Sequence, residues 1–563
     1  MKVKNDAEVK KPSKFNLLVI RIAQYFRVPA NTILVLGCLV LLYFTIYPAI
    51  TLISSTFTVS SIAELRYGLK LGSFTTLWWK RIFASNYSSV YFWKPLGNSL
   101  FISVLAAVIA IVYGGLVAFL ITRTNIKGKK FLSSIFVFPY IMPSWTLATF
   151  WINFFTHPKI GTGVGGMLYN LTGLEVPGSF VYGLVPCAIV LGLHYAPFAY
   201  ILIGGILKNM DANLEEAATI LQASRWQIIR KITIPIVMPA ILSTFLLVFA
   251  SSMSAYAVPQ YLGGGNYVLT TYMKQFINNG YNGQAYIIGL VLIVLGMGIL
   301  LINQWFTGKR KSFTTVSGKS GQISYINLKW LNWPLTIILV CLCLFTSVVP
   351  LISFALESLT VSPGDYSSFT LQYWFSKDFT DAENGLRGIF FEKQVWKAFG
   401  NSLKLSLICA LIAGTLGILV GYAVAKKRGT FLSKALDNLA FLPYLMPSMA
   451  LGVAFLAIGQ SWGIQKSFLI LVIVGSIKYL PFASRSGISA MMQLSGEIEE
   501  SATIANAPWW KRMLMVIFPI QKSTFISGYI LPFTSCMREL SLFVLLTGAQ
   551  TTLLTTLLDD WLQ

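Results

Sequence analysis

Residues 97–122 read GNSLFISVLAAVIAIVYGGLVAFLIT, 26 positions without one charge. A run of this kind has few places to go. Roughly 20 apolar residues cross a bilayer as a helix, and the bilayer interior offers no water to unpaired backbone groups, so the helix must satisfy its own. Similar runs lie near 33–56, 131–155, 182–206, 236–257 and 284–306, then near 333–356, 399–425, 436–458, 467–490 and 521–547. Six spans and then five predict an all-α membrane protein with about eleven crossings. Composition agrees: hydrophobic residues are 55% of 563 and charged residues 11%, where a soluble domain carries about 25% charged.

The net charge is +23, but the bases do not form one surface as in a nucleic-acid binder. They stand in short groups between apolar runs. Lys2, Lys4, Lys10, Lys11, Lys14, Arg21 and Arg27 precede the first run. Placing them in the cytoplasm also places Arg123/Lys127/Lys129/Lys130, Arg225/Arg230/Lys231, Lys309/Arg310/Lys311 and Lys426/Lys427/Arg428 there. That common side predicts a cytoplasmic N-terminus. The external stretch 57–95 also holds bases, but it is long, and long loops follow the rule poorly. The N-terminus lacks a small-residue cleavage site after its basic stretch, so no cleavable signal peptide is expected. Cys38, Cys187, Cys341, Cys343, Cys409 and Cys536 all fall in apolar runs without metal-ligand spacing, which predicts buried free thiols.

The chain repeats itself. EEAATILQASRWQIIRKITIPI at 215–236 recurs as EESATIANAPWWKRMLMVIFPI at 499–520, with nine identities in 22 positions. Tyr195 and Pro197-Phe198 recur as Tyr479 and Pro481-Phe482, PYIMPS (139–144) as PYLMPS (443–448), and Asn98-Ser99-Leu100 as Asn401-Ser402-Leu403. The first copy carries extra residues in its external loop around 156–181. An even number of spans in the first copy makes the repeats parallel. The expected layout is a basic segment at 1–32, one repeat at 33–306, a polar linker at 307–332 and a second repeat at 333–563. At an offset of 284, residue 563 corresponds to Asn279. The second repeat therefore stops where a last span would begin, either as eleven spans with an external C-terminus or as a truncation.

The repeated polar stretch reads as two short helices joined by a turn. Leu214, Ala217, Ala218 and Leu221 fall on one face, as do Ile498, Ser501, Ala502 and Ala505. Small residues there let another surface approach. Asp211 and Ser495 can cap the first helix, and Glu215, Glu216, Glu499 and Glu500 suit its positive end. Ser224 with Gln227 has capping-box spacing for the second helix; Pro508 replaces Ser224 in the other copy and suits a first helical turn. Two copies in register predict one docking task performed twice.

These residues resemble the EAA loop of the membrane subunits of binding-protein-dependent ABC importers, in which the loop seats in a groove of the ATPase. Glu216-Ala217-Ala218 and Pro235 match the pattern; Glu500-Ser501-Ala502, Ala507 and Pro519 form the second version. The family's usual glycine is Gln222 here and Asn506 in the second copy. Among fused double permeases the chain resembles the ferric-iron transport group, with Arg538-Glu539-Leu540-Ser541 as the local likeness; thiamin and phosphonate importers are near relatives. The resemblance implies the type I ABC importer permease fold in a bacterial cytoplasmic (inner or plasma) membrane. It implies two cytoplasmic ATPase copies, which use ATP and Mg, and an extracytoplasmic binding protein as partners. No cofactor is expected on this chain.

Charges inside spans are costly and usually face a cavity. Arg538 and Glu539 are placed in the outer half of a continuous last span, either lining or gating the path, or snorkelling outward or bridging to a neighbouring helix. Lys478 and Arg485, with His194 and Ile201 as counterparts, either line a wet cavity or pack against helix carbonyls. Other motifs fail. Gly161, Gly163 and Gly166 spell GxGxxG without a preceding strand. Gly318-Lys319-Ser320 resembles a P-loop end, but Phe313 occupies the first glycine position. His157 and His194 make no metal site by spacing, and no nucleophile–base pair is visible, so the chain is not expected to be an enzyme. A secondary transporter is the rival reading; it would need intramembrane acids, and only Glu539 stands out.

Overall fold

The protein is described by a computed structural model covering residues 14–160, 163–210, 213–308, 325–361, 364–378 and 387–562. The bases Lys2, Lys4, Lys10, Lys11, Lys309, Arg310 and Lys311, the cap Asp211, Gly161 and the 318–320 motif lie outside the described residues, as do the side chains of Lys14 and Leu214. The described chain is helical apart from turns and isolated β-bridges. Among the described residues eight helices are long and apolar enough to cross a membrane, or up to eleven if each of three broken pairs counts as one. Cys187, Cys343, Cys409 and Cys536 are buried and Cys38 is half-buried, but Cys341 is exposed. Cys341 and Cys343 are two residues apart on one helix, so they face well apart around it.

The helices form two compact units. One comprises Thr51–Ser402, Leu445–Ile470 and Arg538–Gln563. Here the helix Lys94–Arg123 crosses Leu184–Asn209 at very short range. A Cβ on Gly114 would lie 2.2 Å from the Ala196 carbonyl oxygen and 2.7 Å from the Ala199 Cβ, so only glycine permits the approach. Asn332–Ser347, the first helix of the second repeat, packs on Lys129–Ile141. Leu339 and Cys343 are buried with Val117, Leu132 and Phe136, and Ser347 donates to the Ile135 carbonyl at 3.0 Å.

The other unit comprises Met1–Ile50, Leu403–Tyr444 and Leu471–Met537. Leu34 and Leu41, from the first apolar helix Pro29–Ser55, are buried with Val420, Ala423, Leu436 and Ala440. The glycine crossing recurs: a Cβ on Gly417 would lie 2.5 Å from the Ala483 Cβ. Gly417 and Ala483 are the repeat counterparts of Gly114 and Ala199. In each repeat, then, the same small residues bring the same two helices together.

Proline breaks the PYIMPS span. Pro143 disfavours helical geometry at the residue before it, and Met142 is extended at φ −69°, ψ 149°. The helix Lys129–Ile141 stops there, and Ser144–Phe155 leaves at 97°. In the second copy Pro447 likewise sits between Phe431–Leu445 and Ser448–Trp462.

Three sequence expectations need correction. The 333–356 run is two helices, Asn332–Ser347 and Val349–Glu357, with Pro350 in the first turn of the second. The 521–547 run is not one span: its helix is Lys522–Met537, followed by turns up to the helix Leu554–Leu562. Arg538 and Glu539 therefore lie just past a helix end rather than within a membrane-crossing helix. Finally, Leu269-Thr270-Thr271 recurs as Leu554-Thr555-Thr556, an offset of 285 rather than 284. One inserted residue upstream shifts the register of the last segment.

Candidate functional site

The repeated loops form the expected helix-turn-helix units. The first helices are Asn213–Ile220 and Gly496–Ile504. Both end in the same turn. Ala223 N–H donates to the Ala218 carbonyl and Gln222 N–H to Thr219; Ala507 and Asn506 repeat these bonds to Ala502 and Thr503. This double bond pattern requires a left-handed residue after the helix, and Gln222 and Asn506 both have φ 57°. Asn tolerates that conformation better than Gln, for which the Cβ clash costs about 1–2 kcal/mol.

The second helices begin with different caps. Ser224 and Gln227 form the reciprocal capping box, at 3.3 and 2.9 Å. Pro508 is the N-cap itself, extended at ψ 153°, not the first helical residue. Ser495 caps its helix by accepting from Glu497 N–H at 3.4 Å. Each second helix then widens into a π turn, Ile229–Thr233 or Arg512–Ile517, just before Pro235 or Pro519. Proline has no N–H and clashes with the carbonyl four residues back; the wider turn accommodates it. From there the copies diverge. The first continues into Ile234–Met253, whereas the second bends by 90° between Trp509–Ile520 and Lys522–Met537. The polar run Gln521-Lys522-Ser523 replaces Val237-Met238-Pro239 at that bend.

The paired glutamates divide their work. Glu215 turns inward to form an ion pair with Arg123, the last residue of Lys94–Arg123, and accepts from the Thr233 hydroxyl at 3.0 Å. Glu499 does the same at Lys426, the last residue of Lys393–Lys426, at 2.5 Å. Tyr422 donates to Glu499 at 2.9 Å, and Arg512 stands 4.0 Å away. Arg123 and Lys426 are repeat counterparts, so this anchor is duplicated as well. The sequence reading gave both bases to orientation alone and missed the pairing. The repeat itself held the signal, since the offset of 303 that carries Asn98 to Asn401 also carries Arg123 to Lys426.

Glu216 and Glu500 are exposed, with Ala217 and Ser501 beside them; Ala218 and Ala502 are half-buried. The outer face is more apolar than expected. Ile220 is 81% exposed and its counterpart Ile504 87%; Trp226 and Trp510 are exposed too. Each loop thus pins one acid inward and presents isoleucine, tryptophan and the other acid outward.

Of the remaining charged candidates, His194 and Arg538 meet at one helix end, and Lys478 makes the counterpart contact in the second repeat. Pro143 cannot donate to the Pro139 carbonyl four residues back, and His194 Nδ1 occupies that oxygen at 2.9 Å. Pro447 leaves the Pro443 carbonyl in the same position, and Lys478, the counterpart of His194, donates to it at 3.3 Å. Arg538 donates to the Tyr140 and Ile141 carbonyls at the same helix end. The geometry therefore favours helix-carbonyl contacts for all three residues. Arg485 pairs with Asp437 at 3.3 Å and lies over the Phe441 ring, while Glu539 accepts from Leu542 N–H at 3.0 Å. His157 bonds the Val176 carbonyl within the external loop. Among the described residues no three His, Cys, Asp or Glu side chains converge as a metal site.

Fold and loops together define a multi-pass helical membrane protein built from two copies of one unit, each with an anchored, outward-facing loop. Residues 110–312 and 415–559 match the family described as binding-protein-dependent transport system inner membrane component. The chain belongs to that family, and so to the bacterial inner membrane. It is similar to the ferric transport system permease protein FbpB of Actinobacillus pleuropneumoniae, 26% identical over 82% of this chain and 66% of that one. It is also similar to the putative ferric transport system permease protein FbpB 1 of Haemophilus influenzae, 25% identical over 82% of this chain and 71% of the relative. The spermidine/putrescine transport system permease protein PotC of Escherichia coli K12 is 26% identical over 48% of this chain and 91% of its own length.

Proposed function

We propose that this chain is the path-forming subunit of an ATP-driven importer, moving ferric iron or a ferric complex handed over by an extracytoplasmic binding protein. The observation that carries the reading is the duplicated loop with its buried acid and exposed Ile220/Trp226 and Ile504/Trp510 pairs. Two equivalent apolar knobs call for two equivalent grooves, hence two copies of a cytoplasmic ATPase, which bind the ATP and Mg. The loops and the N-terminus then lie on the cytoplasmic side. The similarity to ferric permeases supports iron as cargo; thiamin, a phosphonate or another small anion is the alternative.

Ile220→Glu with Ile504→Glu tests the docking. Both side chains lie on the exposed face, so folding should survive while retention of the ATPase during purification, and uptake with it, is lost. Undiminished retention would sink the assignment. The cargo is read from the ligand that the partner binding protein retains.

A further inference from the structure

Lys274 and Asp559 form a buried ion pair at 2.6 Å, with side chains 9% and 0% exposed. Tyr261 donates to the other Asp559 oxygen at 2.8 Å, and the Lys274 ammonium lies 5.0 Å from the centre of the Tyr256 ring. Lys274 belongs to the short helix Leu269–Asn278 and Asp559 to Leu554–Leu562.

These two helices are counterparts, as their hydrogen bonds establish. Leu269 N–H donates to Ser99 and Leu554 N–H to Ser402. Val268 N–H donates to Thr271 and Leu553 N–H to Thr556. Asn98 donates to the Tyr267 carbonyl and Asn401 to that of Thr552. Every pair obeys the 285-residue offset in this segment, and 274 plus 285 is 559. Lys274 and Asp559 are thus the same position of the two repeats, touching each other.

Equivalent residues that touch lie on the local axis relating the repeats. Two identical chains would place like charges there. Only non-identical halves can place a cation against an anion, as the two halves of this fused chain do. The site also lies at the far end of the unit from the first loop. The helix Ile234–Met253 runs away from that loop for 20 residues, about 30 Å, before this segment begins.

We propose that Lys274–Asp559 is a symmetry-breaking latch that holds the two repeats together at the end of this unit remote from its loop, and that it parts when this end opens. The proposal rests on the transporter reading above. A buried pair attracts strongly, whereas a hydrated one is worth little; its attraction therefore favours the closed arrangement selectively. A cavity of about 730 Å³ adjoins it, lined in part by Gln260, Tyr261, Leu558 and Leu562. Tyr261 belongs to both the cavity wall and the network, giving water a route to the pair.

The test uses the full chain assembled with its ATPase. Lys274→Gln with Asp559→Asn removes both charges at nearly constant volume. ATP hydrolysis without binding protein should rise roughly 5-fold or more, and stimulation by binding protein should shrink accordingly. Lys274→Asp with Asp559→Lys should return the basal rate most of the way. A well-assembled neutral pair with the wild-type basal rate and full stimulation overturns the latch. Should the neutral pair not assemble, the exchanged pair decides: assembly with a low basal rate supports the latch, and failure there too reduces the pair to a folding contact. A wild-type chain that retains no ATPase refutes the transporter reading instead.

Discussion

Glu215 and Glu499 occupy the same position in the two repeats, yet removing them should cost different amounts. The Arg123 side chain is fully buried, while that of Lys426 is 38% exposed. Glu215→Ala leaves a guanidinium without water or counter-charge, a loss of about 3–5 kcal/mol. Glu499→Ala lets Lys426 return to solvent, so the expected loss is that of hydrogen bonds to a charged group, about 1.5–3 kcal/mol. Denaturation of the two variants in mixed micelles compares them directly; equal losses would contradict the burial argument. Only part of this was legible in the sequence. The Ser224–Gln227 box was visible because its partners are three residues apart. The turn at Gln222 was suggested by the family's glycine and is drawn by two backbone bonds. Arg123–Glu215 spans 92 residues, and no local periodicity reports such a contact.

At the level of helices, the proline breaks show how polar side chains in apolar runs are used. The end of Lys129–Ile141 has a nearly complete carbonyl account: Met142 N–H serves Phe138, His194 serves Pro139, and Arg538 serves Tyr140 and Ile141. His194→Ala leaves a buried carbonyl unserved, at about 1–3 kcal/mol. Pro143→Ala supplies an N–H four residues along, which can close a helical bond to that oxygen. The double variant should therefore be more stable than the sum of the single losses predicts, by at least about 0.5 kcal/mol. Additive losses, measured by the same denaturation, would remove the link between the histidine and the proline. The sequence exposed the broken motif and the 194/478 correspondence. It could not choose between cavity and carbonyl for those side chains, because that choice depends on where a helix 35 or more residues away ends. The continuous last span failed for a related reason: an apolar run resumes at 540–546 although the helix does not.

For the whole molecule, chain order and packing divide the protein differently. Two repeats in sequence predict two bundles in sequence order, with a linker between them. Instead Lys14–Phe26 and the 29–50 part of Pro29–Ser55 belong to a unit otherwise made from second-repeat helices, and Asn332–Ser347 belongs to the unit that holds most of the first repeat. Such an exchange leaves no mark in periodicity, since a helix is equally apolar whichever bundle receives it. It does predict what a cut would do. Apolar burial does not hold helices together in lipid; close packing does. Each half supplies a packed helix to the other, so residues 1–316 and 317–563, expressed as separate chains, should co-purify through a tag on either. Gly37 supplies the control, because a Cβ there would lie 2.9 Å from Leu436 Cδ1. Gly37→Ile must displace Leu436, an overpacking cost of about 1–3 kcal/mol. It should weaken recovery of the second piece while leaving each piece inserted in the membrane. Pieces that separate cleanly without that substitution would show that the covalent linker, and not the exchanged helices, keeps the halves together.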